Sequence, residues 1–167
     1  MSIPIMLNVR GRKVLVVGGG RIGTRKAMSI YKAGAELTCI SIDFSKELLS
    51  HHEEVTLVHK EIEDKDLTGW FLVIAATSNT EVNSRIYEVC TQQNILCQTV
   101  DRFNPSDFDF MARRECGELM LAASTYGKAP GFAKEIIDKL ALTLTEEDME
   151  RLQEEISNRK RFLNHKN

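Results

Sequence analysis

The stretch KVLVVGGGRIGTRKAMSIYKAGAELTCISID, residues 13–43, decides the fold. The apolar run Val14–Val17 leads directly into three glycines. Arg21–Lys32 then carry apolar residues at helical spacing, and a second apolar run, Leu37–Ile42, ends at Asp43. This order predicts a strand, a glycine turn, a helix and a second strand, which is the first unit of a parallel α/β sheet.

The glycines have the spacing of a dinucleotide-binding turn. Gly18, Gly20 and Gly23 fit G-x-G-x-x-G, in which the first glycine allows a tight turn and the second lets a pyrophosphate approach the backbone. The third lets helix and strand pack closely, and the pyrophosphate lies at the positive end of the helix dipole. A glycine-rich turn that binds no nucleotide is the alternative, and the strand, helix and acid at the expected positions weigh against it.

Asp43 lies at the end of the second apolar run, twenty positions after Gly23. A carboxylate at this position accepts hydrogen bonds from the adenine ribose and repels a 2′-phosphate. The sequence therefore predicts NAD rather than NADP as the cofactor.

Composition limits the classes of partner. The chain has 167 residues, 43% of them hydrophobic, and a net charge of −2, which predicts a globular protein with one full domain and a small addition. No basic tract before the C-terminus points to nucleic acid or a membrane surface. No apolar run approaches the roughly 18 residues of a membrane span, and no signal peptide is recognisable, so we expect a cytoplasmic protein. The four cysteines lack C-x-x-C spacing, and the histidines form no ligand pattern; we predict inert thiols and no metal site.

Further strands and helices alternate up to Asp101. Residues 55–59, 71–76 and 95–100 are predicted strands, with a helix over 80–93 and a short apolar lead, residues 1–8, beside the first strand. The alternation predicts a Rossmann-type doubly wound parallel sheet, which binds ligands at the carboxyl ends of its strands. Thr77, Ser78 and Asp101 follow two of these strands and are expected at that edge.

The pattern changes after Asp101. Residues 108–113 and 118–124 are predicted to form two short strands joined around Gly117, and a helix with an apolar stripe starts near Pro130. A polar helix follows from about Glu146. We divide the chain into an NAD-binding domain (1–110), a dimerisation and substrate region (111–144) and a C-terminal helix (145–167). A hairpin and one helix are too small to be stable alone, which favours a homodimer.

These segments together resemble the precorrin-2 dehydrogenases of siroheme biosynthesis, which also form the N-terminal part of fused siroheme synthases. The resemblance covers the chain to about Leu144 and is more specific than the glycine turn alone. The matching segments are PIMLN (4–8), VVGGGRIGTRK (16–26), IAATS (74–78), Asn83, Val100-Asp101 and LMLAASTYGKAP (119–130).

The resemblance implies NAD-dependent oxidation of precorrin-2 to sirohydrochlorin by a homodimer with its tetrapyrrole pocket at the subunit interface. A separate chelatase or methyltransferase of the pathway is a further possible partner. A bifunctional dehydrogenase and ferrochelatase is the alternative, because some members also insert ferrous iron. The sequence stops at Asn167, where many members continue into a longer helical domain, and this difference weighs against iron insertion.

The family pattern also assigns residues to roles. Besides the glycines, the cofactor site comprises Arg21, Ile22, Ile42, Asp43, Thr77, Ser78 and Asn83. Asp101 is the catalytic carboxylate, acting as a general base or as an electrostatic stabiliser; capping of its own loop, through Arg102 or a backbone N–H, is the alternative role. Ser124 and Thr125 fall where the family has small hydroxyl residues near the substrate. The basic residues of the second region, independently of the family, are predicted to pair with substrate carboxylates: Arg102, Arg113, Arg114 and Lys128.

Two alternatives remain open from the residues themselves. Arg113 and Arg114 either bind substrate carboxylates or form a solvated surface beside Glu115 and Glu118. The chain as a whole is either a dehydrogenase or a regulatory Rossmann module that senses NAD without chemistry. The region after Asp101 favours the dehydrogenase, and turnover would separate the two.

Overall fold

The structure is a computed structural model that describes residues 2–101 and 104–164. The chain forms two compact units, Met1–Phe108 and Asp109–Asn167. Each unit is described separately below.

The first unit is built on a five-stranded parallel sheet in the order β3-β2-β1-β4-β5. The predicted doubly wound Rossmann-type sheet is thereby confirmed. Its strands are β1 (Lys13–Gly19), β2 (Glu36–Phe44), β3 (Thr56–His59), β4 (Leu72–Ala75) and β5 (Leu96–Thr99).

Three helices and a 3₁₀ turn, Asp64–Leu67, connect these strands. The helices are α1 (Arg21–Lys32), α2 (Lys46–Leu49) and α3 (Thr80–Gln92). Ser45 caps α2, because its Oγ accepts the N–H of Leu48 at 3.2 Å.

The core of the first unit lies on both faces of the sheet. Successive strand residues point to opposite faces, so Val14 and Val16 pack in one apolar cluster while Leu15 and Val17 pack in another. Both faces of β1 are covered over Val14–Val17, and these four residues are accordingly all apolar. The order of strands reverses between β1 and β4, which puts a crevice at their carboxyl ends.

The prediction that residues 1–8 pack beside the first strand is wrong. Residues 2–8 form no strand, and the side chains of Ile3, Ile5 and Met6 are exposed. β1 lies between β2 and β4, so it offers no free edge to an additional strand.

The second unit contains a two-stranded antiparallel sheet and two helices. Its elements are β6 (Ala112–Cys116), β7 (Leu119–Ala123), α4 (Pro130–Ala141) and α5 (Glu146–Asn164). Gly117 forms the predicted turn with φ +58°.

The first strand of this hairpin starts later than the predicted residue 108. The backbone of Asp107 bonds to Cys97 O at 2.9 Å, and its carboxylate accepts the Cys97 N–H at 2.8 Å. Ser106 also bonds to β5, because its Oγ accepts the N–H of Thr99 at 3.0 Å. These bonds attach the segment to β5 and leave the hairpin to start at Ala112.

Cys39, Cys90 and Cys97 are buried and Cys116 is half-buried, and all four are free thiols. Cys39 and Cys97 lie in strands, as predicted. Burial raises the pKa of Cys39 to about 12, so its thiol stays protonated near neutral pH. None of the helices in residues 2–101 and 104–164 has the length and apolar character needed to cross a membrane.

Candidate cofactor-binding site

A cleft of about 760 Å³ opens at the carboxyl ends of β1, β2 and β4. It lies where the strand order reverses, which is where sheets of this type bind their ligands. Eight of the residues assigned to the cofactor site line it: Gly18, Gly20, Arg21, Ile22, Ile42, Asp43, Thr77 and Ser78.

Three glycines of the turn are required by the packing of the chain itself. At Gly18, with φ +113°, an added Cβ would lie 2.3 Å from the carbonyl oxygen of Ala76. At Gly23 it would lie 2.0 Å from the oxygen of Gly18, and at Gly19 it would lie 2.1 Å from the oxygen of Asp43. No side chain fits at these positions, so β1, β2 and α1 approach each other through bare backbone.

Gly20 is different, because nothing in the chain's own packing requires a glycine there. Its φ of −73° suits any residue, and no atom lies within 4 Å of the position that a Cβ would take. The open space borders the cleft, directly before the first turn of α1. A side chain would fill a cradle in which a pyrophosphate can approach the backbone, so the site fits a dinucleotide.

The N-terminus of α1 is also suited to an anion. Gly20 has no side chain to cap the helix, and the first turn carries no acidic residue. The N–H groups of the first turn and the helix dipole therefore attract a negatively charged group. Arg21 lies exposed in this turn and adds a positive charge.

Asp43 stands near the end of β2 with its side chain exposed at the cleft. Within the described part of the chain, its carboxylate accepts no hydrogen bond. The neighbouring Ile42 is 61% exposed, an unusual position for an apolar strand residue and a surface on which a flat ring could lie. Both residues occupy the place that an adenosine takes in sheets of this type.

Two hydroxyl residues that the sequence did not single out support the glycine turn. Ser41 Oγ accepts the N–H of Gly19 at 2.9 Å, and Thr24 Oγ1 donates to the carbonyl of Gly19 at 3.2 Å. Thr24 also bonds to Ser45 Oγ at 2.8 Å. The motif carries no signal for these positions, because the strand register brings Ser41 to the turn from a different element.

Asn83 lies behind the cleft wall and joins the turn after β4 to Asp101. Its Oδ1 accepts the N–H of Thr77 at 3.1 Å and the Thr77 hydroxyl at 2.8 Å. Its Nδ2 donates to the carbonyl of Thr77 at 3.2 Å and to Asp101 Oδ2 at 2.9 Å. The residues that line the cleft include Thr77 but neither Asn83 nor Asp101.

Asp101 is held from two sides. Besides the bond from Asn83, its Oδ1 accepts the backbone N–H of Asn104 at 2.9 Å and its Oδ2 accepts Asn104 Nδ2 at 3.2 Å. The loop-capping role through a backbone N–H is therefore present in the structure. Arg102, the other capping partner and a predicted substrate residue, lies outside the described residues.

Arg113 and Arg114, two of the predicted substrate residues, lie in β6. Arg113 and Arg114 are successive residues of β6, so their side chains leave the hairpin on opposite faces. Arg114 Nη1 donates to Asp138 of α4 at 2.8 Å, and this bond raises the pKa of the arginine. Arg114 therefore has an ion-pair partner within its own unit, and that partner is Asp138 rather than Glu115 or Glu118.

Ser124, Thr125 and Lys128 lie together in the turn between β7 and α4. Ser124 Oγ accepts the N–H of Tyr126 at 3.0 Å, and Thr125 Oγ1 accepts the N–H of Ala129 at 2.9 Å. Tyr126 has φ +54°, which is rare for a bulky residue and marks a strained turn. Lys128 is exposed.

A five-stranded parallel sheet with an open glycine turn at its switch point defines a Rossmann-type dinucleotide-binding protein. Residues 5–112 match the family model described as "Putative NAD(P)-binding", and the chain belongs to that family.

Relatives of known name extend the likeness beyond this domain. The solved structure of SirC, a precorrin-2 dehydrogenase, has a TM-score of 0.78 and 28% identity, over 91% of this chain and 76% of that one. Siroheme synthase 1 of Pectobacterium atrosepticum is 34% identical over 83% of this chain and 29% of its own length. Siroheme synthase 1 of Aeromonas salmonicida is 36% identical over 85% of this chain and 31% of its own length.

The chain thus spans about three tenths of the length of the curated relatives it matches. The comparisons confirm the fold, the resemblance to the precorrin-2 dehydrogenase family and the predicted dinucleotide cofactor. In the described residues, no three His, Cys, Asp or Glu side chains are arranged to hold a metal ion.

Proposed function

We propose that this chain catalyses the NAD-dependent dehydrogenation of precorrin-2 to sirohydrochlorin in siroheme biosynthesis. The observation that carries the proposal is the likeness to SirC, which extends over more of the chain than the first unit contains. A likeness confined to the Rossmann unit would support cofactor binding alone. A cytoplasmic location goes with this proposal.

The cofactor is held by the cleft of the first unit. The backbone of Gly18–Gly20 and the first turn of α1 receive the pyrophosphate, and Asp43 accepts the hydroxyls of the adenine ribose. The same carboxylate repels a 2′-phosphate, so we infer NAD rather than NADP. NAD, when bound, supplies the hydride acceptor.

Dehydrogenation removes a hydride and a proton from the substrate, so a protein group must deal with the proton. Asp101 is our candidate, either as a general base or as a stabiliser of the positive charge that develops on the substrate. Its carboxylate is held by Asn83 and Asn104 at 2.9 to 3.2 Å, which fixes its orientation before substrate arrives. The hydrogen bond by which Asp101 caps its own loop also orients its carboxylate, so the capping role and a catalytic role are compatible.

The second unit provides the dimer contact and the substrate site in this proposal. Phe132 is 58% exposed and Leu140 is 51% exposed on α4, the helix that packs on the hairpin. Apolar faces of this kind are covered by a partner copy in a homodimer. We assign residues 111–144 to dimerisation and substrate binding, with Arg113, Lys128, Ser124 and Thr125 directed to the substrate carboxylates.

The test is NADH formation from NAD and precorrin-2 under anaerobic conditions, followed by absorbance in the wild type and in Asp101→Asn. The proposal predicts turnover in the wild type and its loss in the variant, with NAD affinity retained. Tight NAD binding without any NADH from the wild type would contradict the dehydrogenase and favour an NAD-sensing module.

A further inference from the structure

Asn83 is a buried polar side chain next to the cleft that bonds to two other segments of the first unit. It lies in α3 and is 1% exposed. A side-chain amide can accept two hydrogen bonds and donate two, and Asn83 makes all four, three of them to Thr77 and one to Asp101. The Thr77 hydroxyl also lies 3.0 Å from the carbonyl of Asn79, so its single proton is shared, and the amide of Asn83 is held chiefly by the Thr77 N–H, the Thr77 carbonyl and the Asp101 carboxylate.

The orientation of this amide is fixed by its partners. The N–H of Thr77 can only donate, so it must face Oδ1. The carbonyl of Thr77 and the carboxylate of Asp101 can only accept, so they must face Nδ2. A reversed amide would put an oxygen against both acceptors, and for this reason only one arrangement satisfies every group.

We propose that Asn83 is a positioning residue, which holds the Asp101 carboxylate in register with the turn at Thr77 that lines the cofactor cleft. This inference rests on the proposed function, in which Asp101 takes part in the reaction. Thr77 borders the cleft, Asp101 follows β5, and Asn83 links them through one rigid amide. A movement of the turn at Thr77 would therefore also move the Asp101 carboxylate. This coupling keeps the carboxylate at a constant position relative to bound NAD.

The chemistry of the linkage separates positioning from packing. Asn83→Asp keeps the shape of the side chain but puts a second carboxylate against Asp101 and the Thr77 carbonyl. Asn83→Ala removes all four bonds. Both variants are expected to lower the melting temperature, Asn83→Asp because it buries a second carboxylate. A packing role predicts that the folded variants keep the wild-type rate, whereas a positioning role predicts that they lose turnover while still folded.

The experiment uses the full chain and measures hydride transfer from precorrin-2 to NAD in single turnovers with enzyme in excess, so that slow variants remain measurable. NAD affinity, KM and melting temperature are measured alongside. Cys90→Ala is the matched control, because Cys90 is buried in the same helix and does not line the cleft. Both Asn83 variants are also combined with Asp101→Asn.

We expect both Asn83 variants to lower the rate about 100-fold with KM and NAD affinity little changed, because misplacing a catalytic group acts on the chemical step. Cys90→Ala lowers the melting temperature and keeps the rate. In the Asp101→Asn background the Asn83 changes have no further effect, since both act through one group.

Three outcomes would overturn the inference. Asn83→Asp could retain the wild-type rate, the Asn83 and Asp101 effects could multiply independently, or Cys90→Ala could lose rate in proportion to its stability. A wild type that binds NAD and transfers no hydride would instead overturn the proposed function, and the inference with it.

Discussion

The two units of this chain differ in how many apolar side chains they bury. The first buries both faces of a parallel sheet, with Val14, Leu15, Val73 and Ile74 inaccessible to solvent. In the second, the fully buried apolar side chains among residues 109–164 are Ala133 and Ile137. The apolar stripe predicted on α4 is present, but its members Phe132 and Leu140 face solvent in the single chain.

The difference shows which part of the function each unit can carry alone. The cofactor cleft is built from backbone, held by a core that the first unit completes by itself. The second unit buries few apolar side chains, and we therefore expect it to need a further surface to pack against. A site that depends on the second unit therefore depends on what covers it, which in our account is a second copy.

The largest effect is expected where the glycine turn meets the core. Gly18→Ala should lower the free energy of unfolding by at least about 3 kcal/mol, because the added Cβ would meet Ala76 O at 2.3 Å with φ at +113°. Gly69→Ala is the control, because its φ is +81° but no atom lies within 4 Å of the added Cβ. It should lower the free energy of unfolding by about 1 kcal/mol. Urea unfolding measures both, and equal losses would contradict the close packing at Gly18.

A pair of apolar truncations compares the two units directly. Ile74→Ala, in the buried β4, should cost about 2 to 5 kcal/mol at any protein concentration. Phe132→Ala should leave the unfolding of the first unit unchanged and raise the dissociation constant of the dimer about tenfold or more. Urea unfolding and sedimentation equilibrium measure these quantities. An unchanged dissociation constant in Phe132→Ala would contradict the assignment of α4 to the dimer interface.

Gly20→Ala separates binding from folding within the first unit. The chain leaves room for a Cβ at this position, so the free energy of unfolding should fall only by the roughly 0.5 to 1 kcal/mol by which alanine is a poorer helix N-cap than glycine. The Cβ would fill the cradle for the pyrophosphate, and NAD affinity should drop about tenfold, equivalent to about 1.4 kcal/mol. Calorimetric titration measures the affinity. If Gly20→Ala bound NAD as tightly as the wild type, the pyrophosphate would not bind at the glycine turn.

The smallest effect concerns an ion pair of the first unit. Burial raises the pKa of Asp66, but the hydrogen bonds from Lys60 at 2.7 Å and from the Glu63 N–H at 3.0 Å outweigh it and hold the pKa below its usual value. A lowered pKa stabilises the fold above the unfolded value of about 3.9, and this contribution is lost as pH falls through the folded pKa.

Asp66→Asn should therefore be less stable than the wild type at pH 7, and the difference should shrink as pH falls below about 4. Urea unfolding at a series of pH values measures it. A difference that does not change with pH would mean that the carboxylate charge contributes nothing.

Residues 13–43 could be predicted almost completely, because strand period, helix period and glycine spacing all point to one structure there. The supporting hydroxyl of Ser41 could not, since it reaches Gly19 through the register of β1 and β2, and the glycine motif does not specify the hydroxyl of Thr24. The start of β6 was also misplaced, because the bonds from Ser106 and Asp107 to β5 override the local apolar pattern. Local patterns thus predict elements, while contacts between distant residues decide their ends and their fine geometry.

Asn83 illustrates the same limit within the site. The family motif predicts that Asn83 contacts the cofactor. The structure engages all four of its hydrogen-bonding positions with Thr77 and Asp101. Sequence spacing cannot distinguish a residue that touches a ligand from one that holds its neighbours, because both occupy the same edge of the sheet.

The most direct test of the account compares NAD binding and precorrin-2 turnover across a dilution series, with sedimentation to follow association. We predict that NAD affinity is independent of protein concentration, because the first unit builds that site alone. Turnover per chain should fall as the dimer dissociates, because the substrate site needs the second copy. Constant turnover per chain at dilutions where only monomer sediments would contradict the division of roles between the two units.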